Sequence, residues 1–267
     1  MKNTPFLSII TVNKNNITGL QETLNSVIAQ VESDFEYIIV DGNSTDGSKE
    51  ILRGNHLENF KIISEDDDGI YDAMNKGILM ANGEFTLFLN SGDVFLDSSA
   101  LKNVISIINS NPQYDLYYAD YIQKYSDCES IYALPNKLSL FSFFNYNSIN
   151  HQSTFIKKSI FNQIGLYETN YKIVSDASFF IKALKAKFRY FHLGDSFVKF
   201  DMYGFSSKNH SLRFAEYNQV YKKNLSRFEY ILLVIYQKYI IAQWEISKHG
   251  LSIKRILSWV QTKKIKA

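Results

Sequence analysis

The chain has 267 residues, 45% of them hydrophobic, and a formal net charge of +2 at pH 7. This length and apolar content suffice for a full hydrophobic core and fit one large domain, or one domain with a C-terminal extension. The single cysteine, Cys128, excludes an internal disulfide framework and a cysteine-based metal cluster, so any metal must bind oxygen or imidazole ligands.

The first 95 residues alternate predicted strands with predicted helices. Apolar, β-branched segments predict strands over residues 6–12, 35–40, 60–64 and 85–89. The segments between them predict helices, one of which is capped by Ser48 and another of which spans 72–80. This alternation predicts an α/β fold with a mostly parallel, twisted sheet flanked by helices.

The carboxyl ends of these strands should meet at one edge of the sheet, where such proteins bind ligands. The turns at that edge open at Asn13, Asp41, Ser64 and Asn90. No G-x-G-x-x-G motif follows the first strand, and no G-x-x-x-x-G-K-S/T motif occurs in the sequence. The sequence therefore disfavours both an NAD-binding protein and a P-loop enzyme.

Carboxylates concentrate in these turns. Asp41 ends a buried strand, where it could accept a hydrogen bond from a ligand N–H or, equally, shape the turn. Asp93, which follows Gly92, offers a hard oxygen ligand to Mg2+ or Mn2+, although a lone aspartate there is also an ordinary turn residue. Asp66 and Asp67 are interpreted as part of a solvated loop.

The second half of the chain ends in a basic segment. Residues 175–187 predict a helix and residues 188–199 a further strand. From Ser211 onward there are 11 Lys and Arg against 3 Asp and Glu, whereas the rest of the chain has 18 against 24. The apolar segment 230–236 falls far short of the ~20 residues of a membrane span, so two amphipathic helices are predicted instead. The second has Ile253, Ile256, Leu257 and Val260 at helix spacing. This face could lie on an anionic membrane surface, with Trp259 as an anchor, or pack on the rest of the protein or on a second subunit.

Three segments, taken in order, resemble one enzyme family. Residues 41–47 read DGNSTDG, residues 68–77 read DGIYDAMNKG, and residues 82–93 read NGEFTLFLNSGD. This ordered set resembles the bacterial family 2 glycosyltransferases with the GT-A fold, and the similarity covers residues 5–205.

The resemblance implies a Rossmann-like GT-A catalytic domain over residues 1–210. Its nucleotide-binding half is expected over 1–95 and its acceptor half over 96–210, with the basic amphipathic helical extension over 211–267. It also implies a divalent metal cofactor, Mn2+ or Mg2+, which neutralises charge on the departing diphosphate.

The same resemblance implies roles for individual residues. Asp41 is expected to contact the base of the donor, and Asp93, the last residue of the strand-end D-x-D motif, to coordinate the metal. Asp176 matches the family segment that carries the catalytic base; its alternative role is a helix cap. A carboxylate suits this step because transfer with inversion needs a base to take the proton of the attacking hydroxyl. The expected substrate-binding residues are Thr11, Asn13, Asp41, Asp68, Asn75, His151 and Gln152.

His151 could orient the acceptor or the diphosphate, and the alternative is an ordinary hydrogen-bonded imidazole in a partly buried position. The chain also departs from the family at three places. Lys14 stands where the family commonly has an aromatic residue, Asn90 and Gly92 replace carboxylates of the fuller D-x-D motif, and residues 203–206 resemble a Gly-Gly-x-Ser loop without its first glycine.

The function that follows from the resemblance is an inverting glycosyltransferase that moves one sugar from a nucleotide sugar, with a UDP-sugar expected. The acceptor is expected to be a saccharide or a lipid-linked saccharide in the assembly of O-antigen, capsule or another surface polysaccharide. The alternatives are a non-catalytic nucleotide-sugar-binding module and a nucleotidyltransferase. No export signal is recognised, so the expected location is the cytoplasm or the inner face of the cell membrane. Nucleic acid is not an expected partner.

Overall fold

The computed structural model describes residues 4–54, 60–125, 128–144, 149–201 and 208–249. The strands of the main sheet are β1 (Leu7–Asn13), β2 (Phe35–Asp41), β3 (Phe60–Ser64), β4 (Phe85–Phe88), β6 (Leu116–Tyr118), β9 (Thr154–Lys157) and β10 (Tyr190–His192). Their order is β10-β6-β9-β4-β1-β2-β3, and all are parallel except β9, which runs antiparallel to β4 and β6. The predicted α/β fold with a mostly parallel sheet is therefore confirmed.

Helices flank this sheet. They are α1 (Ile17–Ile28), α2 (Ser48–Gly54), α3 (Ile70–Met80), α4 (Ala100–Ser110), α5 (Ser159–Ile164) and α6 (Ser175–Lys185), with one 3-10 turn over Leu140–Phe143. Every residue of β1 is buried, as expected for a central parallel strand. α3 packs on β1 and β2. Its close approach depends on Gly77, where a Cβ would lie 2.4 Å from Cγ2 of Ile10.

Two predicted details of the secondary structure are wrong. Ser48 is the first residue of α2 rather than its N-cap, and the carboxylate of Asp46 accepts a hydrogen bond from its N–H at 3.1 Å. Residues 188–199 do not form one strand. The chain turns at Gly194, whose φ of 88° is left-handed, so β10 lies in the main sheet and β11 (Val198–Asp201) in a second one.

The second sheet has four strands in the order β5-β11-β7-β8. Besides β11, these are β5 (Val94–Phe95), β7 (Tyr121–Lys124) and β8 (Glu129–Tyr132). β5 directly follows Asp93, so this sheet begins at the edge where β1, β2 and β4 end. It thereby places the second half of the chain next to the expected ligand site.

The C-terminal segment forms two helices, α7 (His210–Asn224) and α8 (Arg227–His249). α7 packs on α6 and buries Val220 and Tyr221, and the Tyr221 hydroxyl donates to the Phe143 carbonyl at 2.5 Å. α8 places the ring of Tyr236 against those of Phe141 and Phe144. These helices therefore pack on the rest of the protein, whereas the face around residues 253–260 that was weighed from the sequence lies outside the described residues.

Among the helices of the described ranges, none is both long enough and apolar enough to cross a membrane. Trp259 and the loop at 203–206 lie outside the described residues.

Candidate active site

The loops that follow β1, β2 and β4 meet at one edge of the sheet, as predicted. Asn13 joins them, because its Nδ2 donates to Oδ1 of Asp41 at 2.8 Å and its Oδ1 accepts from the Ser91 hydroxyl at 2.6 Å. Parallel pairing places Asn13 directly beside Asp41 at the ends of β1 and β2. The polar turns thus form one continuous surface.

Asp41 is fully buried and its carboxylate accepts four hydrogen bonds. The donors are Nδ2 of Asn13 (2.8 Å), the hydroxyl of Ser44 (2.5 Å), the N–H of Ser44 (3.0 Å) and the hydroxyl of Ser64 (2.7 Å). Burial raises the pKa of Asp41, but these hydrogen bonds outweigh it and hold the pKa below its usual value. In the ligand-free protein this carboxylate fixes the turn, while its contact with a base stays a prediction.

Asp67 lies beside the Asp41 turn, a position that was not predicted from the sequence. Its side chain is only 5% exposed, so the prediction of a solvated loop is wrong for it, although Asp66 is exposed. Oδ1 of Asp67 lies 3.6 Å from Nζ of Lys14. A Cβ on Gly42 would lie 2.0 Å from Oδ2, so the carboxylate occupies space that any other residue at position 42 would fill. A glycine directly after Asp41 was the available signal for this.

Two of the other predicted substrate-binding residues make contacts within the protein, and a third is exposed. The buried Thr11 hydroxyl donates to the Leu89 carbonyl at 2.6 Å. Asn75 is also buried, and its amide makes two hydrogen bonds to the backbone of Tyr167, at 2.9 and 3.0 Å. Asp68 is exposed. Thr11 and Asn75 therefore lie in the buried interior beneath the candidate site, and Asp68 lies on the surface.

Asp93 is buried at the start of the second sheet. Its Oδ2 accepts from the N–H of Asn90 at 3.0 Å, and its carbonyl accepts from the Thr23 hydroxyl at 2.8 Å. Gly92, with a φ of 103°, allows the tight turn between Asn90 and Asp93. The loop therefore holds the carboxylate at the same edge as Asn13 and Asp41.

The residues around Asp93 fit a divalent metal that a substrate helps to hold. Oδ1 of Asn90 is a buried acceptor with no hydrogen-bond partner in the described part of the chain, so it is available to a ligand. No group of three His, Cys, Asp or Glu within the described ranges could hold a metal by itself. Mg2+ and similar ions in nucleotide enzymes commonly use one or two carboxylates and complete their shell with phosphates and water. Asp93 meets that requirement.

A chain of hydrogen bonds connects the Asp93 loop to Asp176. Nδ2 of Asn90 lies 3.0 Å from Nε2 of His151, and Nδ1 of His151 lies 2.8 Å from Oδ2 of Asp176. A carboxylate oxygen accepts, so Nδ1 of His151 donates to Asp176, and Nε2 pairs with the Asn90 amide. The two carboxylates singled out from the sequence therefore lie at the two ends of one partly buried network.

Tyr71 is a further partner of Asp176. Its hydroxyl lies 3.1 Å from Oδ1 of Asp176 and 2.7 Å from the Ile173 carbonyl. Burial, together with the charge of Asp176, raises the pKa of Tyr71 well above its usual value, so it remains a protonated donor. The N–H of Ala177 also donates to Oδ1, at 2.8 Å. Asp176 thus opens α6, as predicted, and is held by several donors.

His151 is buried and both of its ring nitrogens have protein partners. It is therefore placed to orient Asp176 and Asn90, and its predicted contact with a substrate stays a prediction. Gln152 lies half-buried beside it.

Comparison with known proteins identifies relatives of this chain. The family model of Glycosyl transferase family 2 matches residues 8–165. A PGL/p-HBAD biosynthesis glycosyltransferase of Mycobacterium bovis is 33% identical over 181 residues, which cover 67% of this chain and 69% of the relative. An uncharacterized glycosyltransferase of Mycobacterium tuberculosis is 30% identical over 68% of this chain and 70% of its own length.

Solved structures share the fold. S. aureus TarS 1-349 in complex with UDP-GlcNAc has a TM-score of 0.62 at 21% identity, covering 76% of this chain and 60% of that one. The match to the longer TarS chain spans only 36% of its length. The mannosyltransferase PcManGT of Pyrobaculum calidifontis, in complex with GDP-Man and Mn2+, has a TM-score of 0.63 at 15% identity, covering 83% and 64% of the two chains.

Proposed function

This chain belongs to glycosyl transferase family 2 and is a glycosyltransferase, and we propose that it moves one sugar from a nucleotide sugar to an acceptor hydroxyl with inversion of the anomeric configuration. The observation that carries the proposal is the partly buried network from Asp93 through Asn90 and His151 to Asp176. It links the carboxylate of Asp93, which suits the metal and diphosphate of a donor, with that of Asp176, which suits the hydroxyl of an acceptor. The relatives favour glycosyl transfer over the nucleotidyl transfer and the non-catalytic module weighed from the sequence.

Asp176 is the base in this mechanism. Ala177 and His151 donate to its carboxylate, and the Tyr71 hydroxyl shares its one proton between Oδ1 of Asp176 and the Ile173 carbonyl. These contacts stabilise the ionised form. A carboxylate has room for about four hydrogen bonds, so Oδ2 keeps a lone pair for the acceptor. His151 cannot take this proton, because its Nδ1 already donates to Asp176 and its Nε2 is used by Asn90.

The bonds that change are few. The O–H bond of the acceptor breaks and its proton passes to Asp176, while the acceptor oxygen bonds to the anomeric carbon. The bond from that carbon to the diphosphate breaks, and its electron pair leaves with the nucleoside diphosphate. Because the oxygen attacks from the face opposite the leaving group, the configuration inverts.

Mn2+ or Mg2+ is the proposed cofactor. Asp93 would hold it together with the donor diphosphate. Oδ1 of Asn90, which has no hydrogen-bond partner among the described residues, is a second oxygen in the same loop. The bound ion supplies charge neutralisation for the departing diphosphate. The Mn2+ in the PcManGT complex supports this choice.

A UDP-sugar is the proposed donor. The side chain of Asp67 is only 5% exposed and lies beside Lys14 and beside Gly42, which has no side chain to cover it. Its carboxylate can therefore accept an N–H from the edge of a base. The TarS complexes with UDP and UDP-GlcNAc support uridine, whereas the GDP-Man complex of PcManGT is the competing precedent.

We expect the purified protein to release UDP from at least one UDP-sugar when a divalent metal and a saccharide or lipid-linked acceptor are present. UDP-, GDP- and dTDP-sugars are tested side by side, and NMR of the product gives its anomeric configuration. Turnover of a GDP-sugar alone would overturn the choice of donor. A product that retains the donor configuration would overturn the inverting mechanism and the role of Asp176.

We also propose that the acceptor is lipid-linked, in the assembly of a surface glycan, and that α8 contacts the membrane. Its outward face carries an apolar stripe formed by Phe228, Ile231, Ile235 and Tyr239, in which Phe228 is 69% and Ile235 57% exposed. These residues recur at helical spacing, so they lie on one side. Arg227 and Lys238 are exposed on the same helix. An apolar stripe beside cations suits an anionic lipid surface.

Replacing Ile231 and Ile235 by Ser should weaken binding to vesicles of phosphatidylcholine and phosphatidylglycerol by at least about tenfold, because each apolar side chain buried in lipid contributes roughly 2 kcal/mol. Co-sedimentation measures the bound fraction. Ile131→Ser, which changes an exposed isoleucine on β8, is the matched control and should bind like the wild type. Equal binding of both proteins would refute the contact, and a dimer that the double variant breaks would assign the stripe to a second copy.

A further inference from the structure

A buried carboxylate from the C-terminal helices reaches the segment just before Asp176. Glu216 lies on α7 and is 5% exposed. Its Oε1 accepts from the N–H of Lys172 at 2.8 Å and its Oε2 from the N–H of Ile173 at 2.9 Å. One carboxylate therefore clamps two consecutive backbone N–H groups that no helix or strand satisfies.

This clamp has a short route to the proposed base. The Ile173 carbonyl accepts the hydroxyl of Tyr71 at 2.7 Å, and that same hydroxyl lies 3.1 Å from Oδ1 of Asp176. Val174 is buried between the clamped residues and α6, which begins at Ser175. Movement of residue 173 would therefore shift both the Tyr71 contact and the first turn of α6.

The chemistry of Glu216 distinguishes this clamp from ordinary helix packing. Its described partners are backbone N–H groups, whereas the carboxylates of Glu168 and Glu229 bind lysine side chains. A buried carboxylate is costly to desolvate, and an apolar residue in its place would leave two N–H groups without acceptors. Glu216 therefore fixes the backbone of residues 172–173.

We propose that Glu216 is a positioning residue for Asp176, which acts by holding residues 172–173 and, through Ile173 and Tyr71, the carboxylate of the base. The inference rests on the proposed function, because it needs Asp176 as the base. It gives α7, which lies beyond the residues 8–165 matched by the family, an indirect part in catalysis. The C-terminal helices would then be needed for turnover as well as for docking.

Glu216→Gln tests this inference, because the amide has nearly the same size but only one acceptor oxygen. We expect kcat to fall by about 10- to 100-fold, as small displacements of catalytic groups do, with KM for the donor changed less than about twofold. The Ile173 carbonyl and Asp176 share the single hydroxyl proton of Tyr71, so displacing residue 173 changes how that proton is shared, and the acidic limb of the kcat–pH profile should move. A purely structural role would lower the melting temperature without this pH shift.

Glu229→Gln is the matched control. It makes the same charge change on α8, where Glu229 binds Lys185 and the N–H of Ser226, and it should keep the wild-type kcat and pH profile. The double variant of Glu216→Gln with Tyr71→Phe should lose no more activity than the more severe single variant, because both changes break the same link. Additive losses would overturn the route through Tyr71.

Each outcome separates this inference from the function on which it rests. A folded Glu216→Gln variant with wild-type kcat and pH profile, alongside an inactive Asp176→Asn variant, would overturn the positioning role alone. An active Asp176→Asn variant would overturn the base itself. If Glu216→Gln does not fold, Glu216→Asp is tested instead, because it keeps the charge on a shorter side chain. A loss of kcat with a pH shift in this variant supports the positioning role, whereas wild-type values of both refute it.

Discussion

Replacing Asp176 by Asn should lower kcat by about 10²- to 10⁴-fold while the affinity for the nucleoside diphosphate stays close to that of the wild type. The amide keeps the size of the side chain and an acceptor for Tyr71, but it cannot take the proton of the attacking hydroxyl. The proposed donor contacts lie at the far end of the Asn90–His151 network, so binding should be spared. Steady-state transfer and calorimetric titration with UDP measure the two effects separately.

Asp195→Asn is the control for this experiment. Asp195 is an exposed carboxylate between β10 and β11, and its loss should leave kcat unchanged. If Asp176→Asn retains more than about a tenth of the activity, Asp176 is not the base and the helix-cap role weighed from the sequence becomes the better account.

Replacing Asp93 by Asn should lower kcat by at least about 10²-fold at a metal concentration that saturates the wild type, because a metal-bound diphosphate is a much better leaving group. The amide oxygen can still accept from the N–H of Asn90, so the loop should keep its shape. Activity is measured against Mn2+ and Mg2+ concentration. The variant should need more metal, and its affinity for UDP should no longer rise when Mn2+ is added.

Glu22→Gln, which removes an exposed carboxylate on α1, should behave like the wild type in the same titration. Surface pairs such as Glu22 with Lys124 contribute only about 0–1 kcal/mol. Full activity of the wild type in excess EDTA, together with an active Asp93→Asn variant, would contradict the metal-dependent mechanism.

Much of the fold could be predicted from local patterns. The apolar strand segments and the helix spacing of Leu20, Leu24 and Val27 appear in β1 to β4 and α1 as expected, because the alternation of strand and helix leaves few topologies. The prediction of one strand over residues 188–199 failed because their apolar content is continuous. The left-handed backbone of Gly194 divides these residues between two sheets.

The candidate site was predicted in part. Asp93 and Asp176 could be named from the family resemblance, and the strand-end turns could be placed at one edge. Asp67 was missed because a run of three carboxylates is usually solvated, and only the space above Gly42 next to Lys14 explains its burial. Glu216 belongs to no motif, and nothing near it in sequence indicates its partners 44 and 43 residues earlier.

The sequence by itself determined the α/β class, the family and the types of residue available for the chemistry, since these depend on short-range periodicity and ordered motifs. Only the tertiary structure decided how those residues connect. The contact between Asn90 and His151 joins residues 61 positions apart, and that between Tyr71 and Asp176 joins residues 105 apart. Hydrogen bonds require donor–acceptor distances within a few tenths of an ångström, and the packing of segments that are distant in sequence sets distances on that scale.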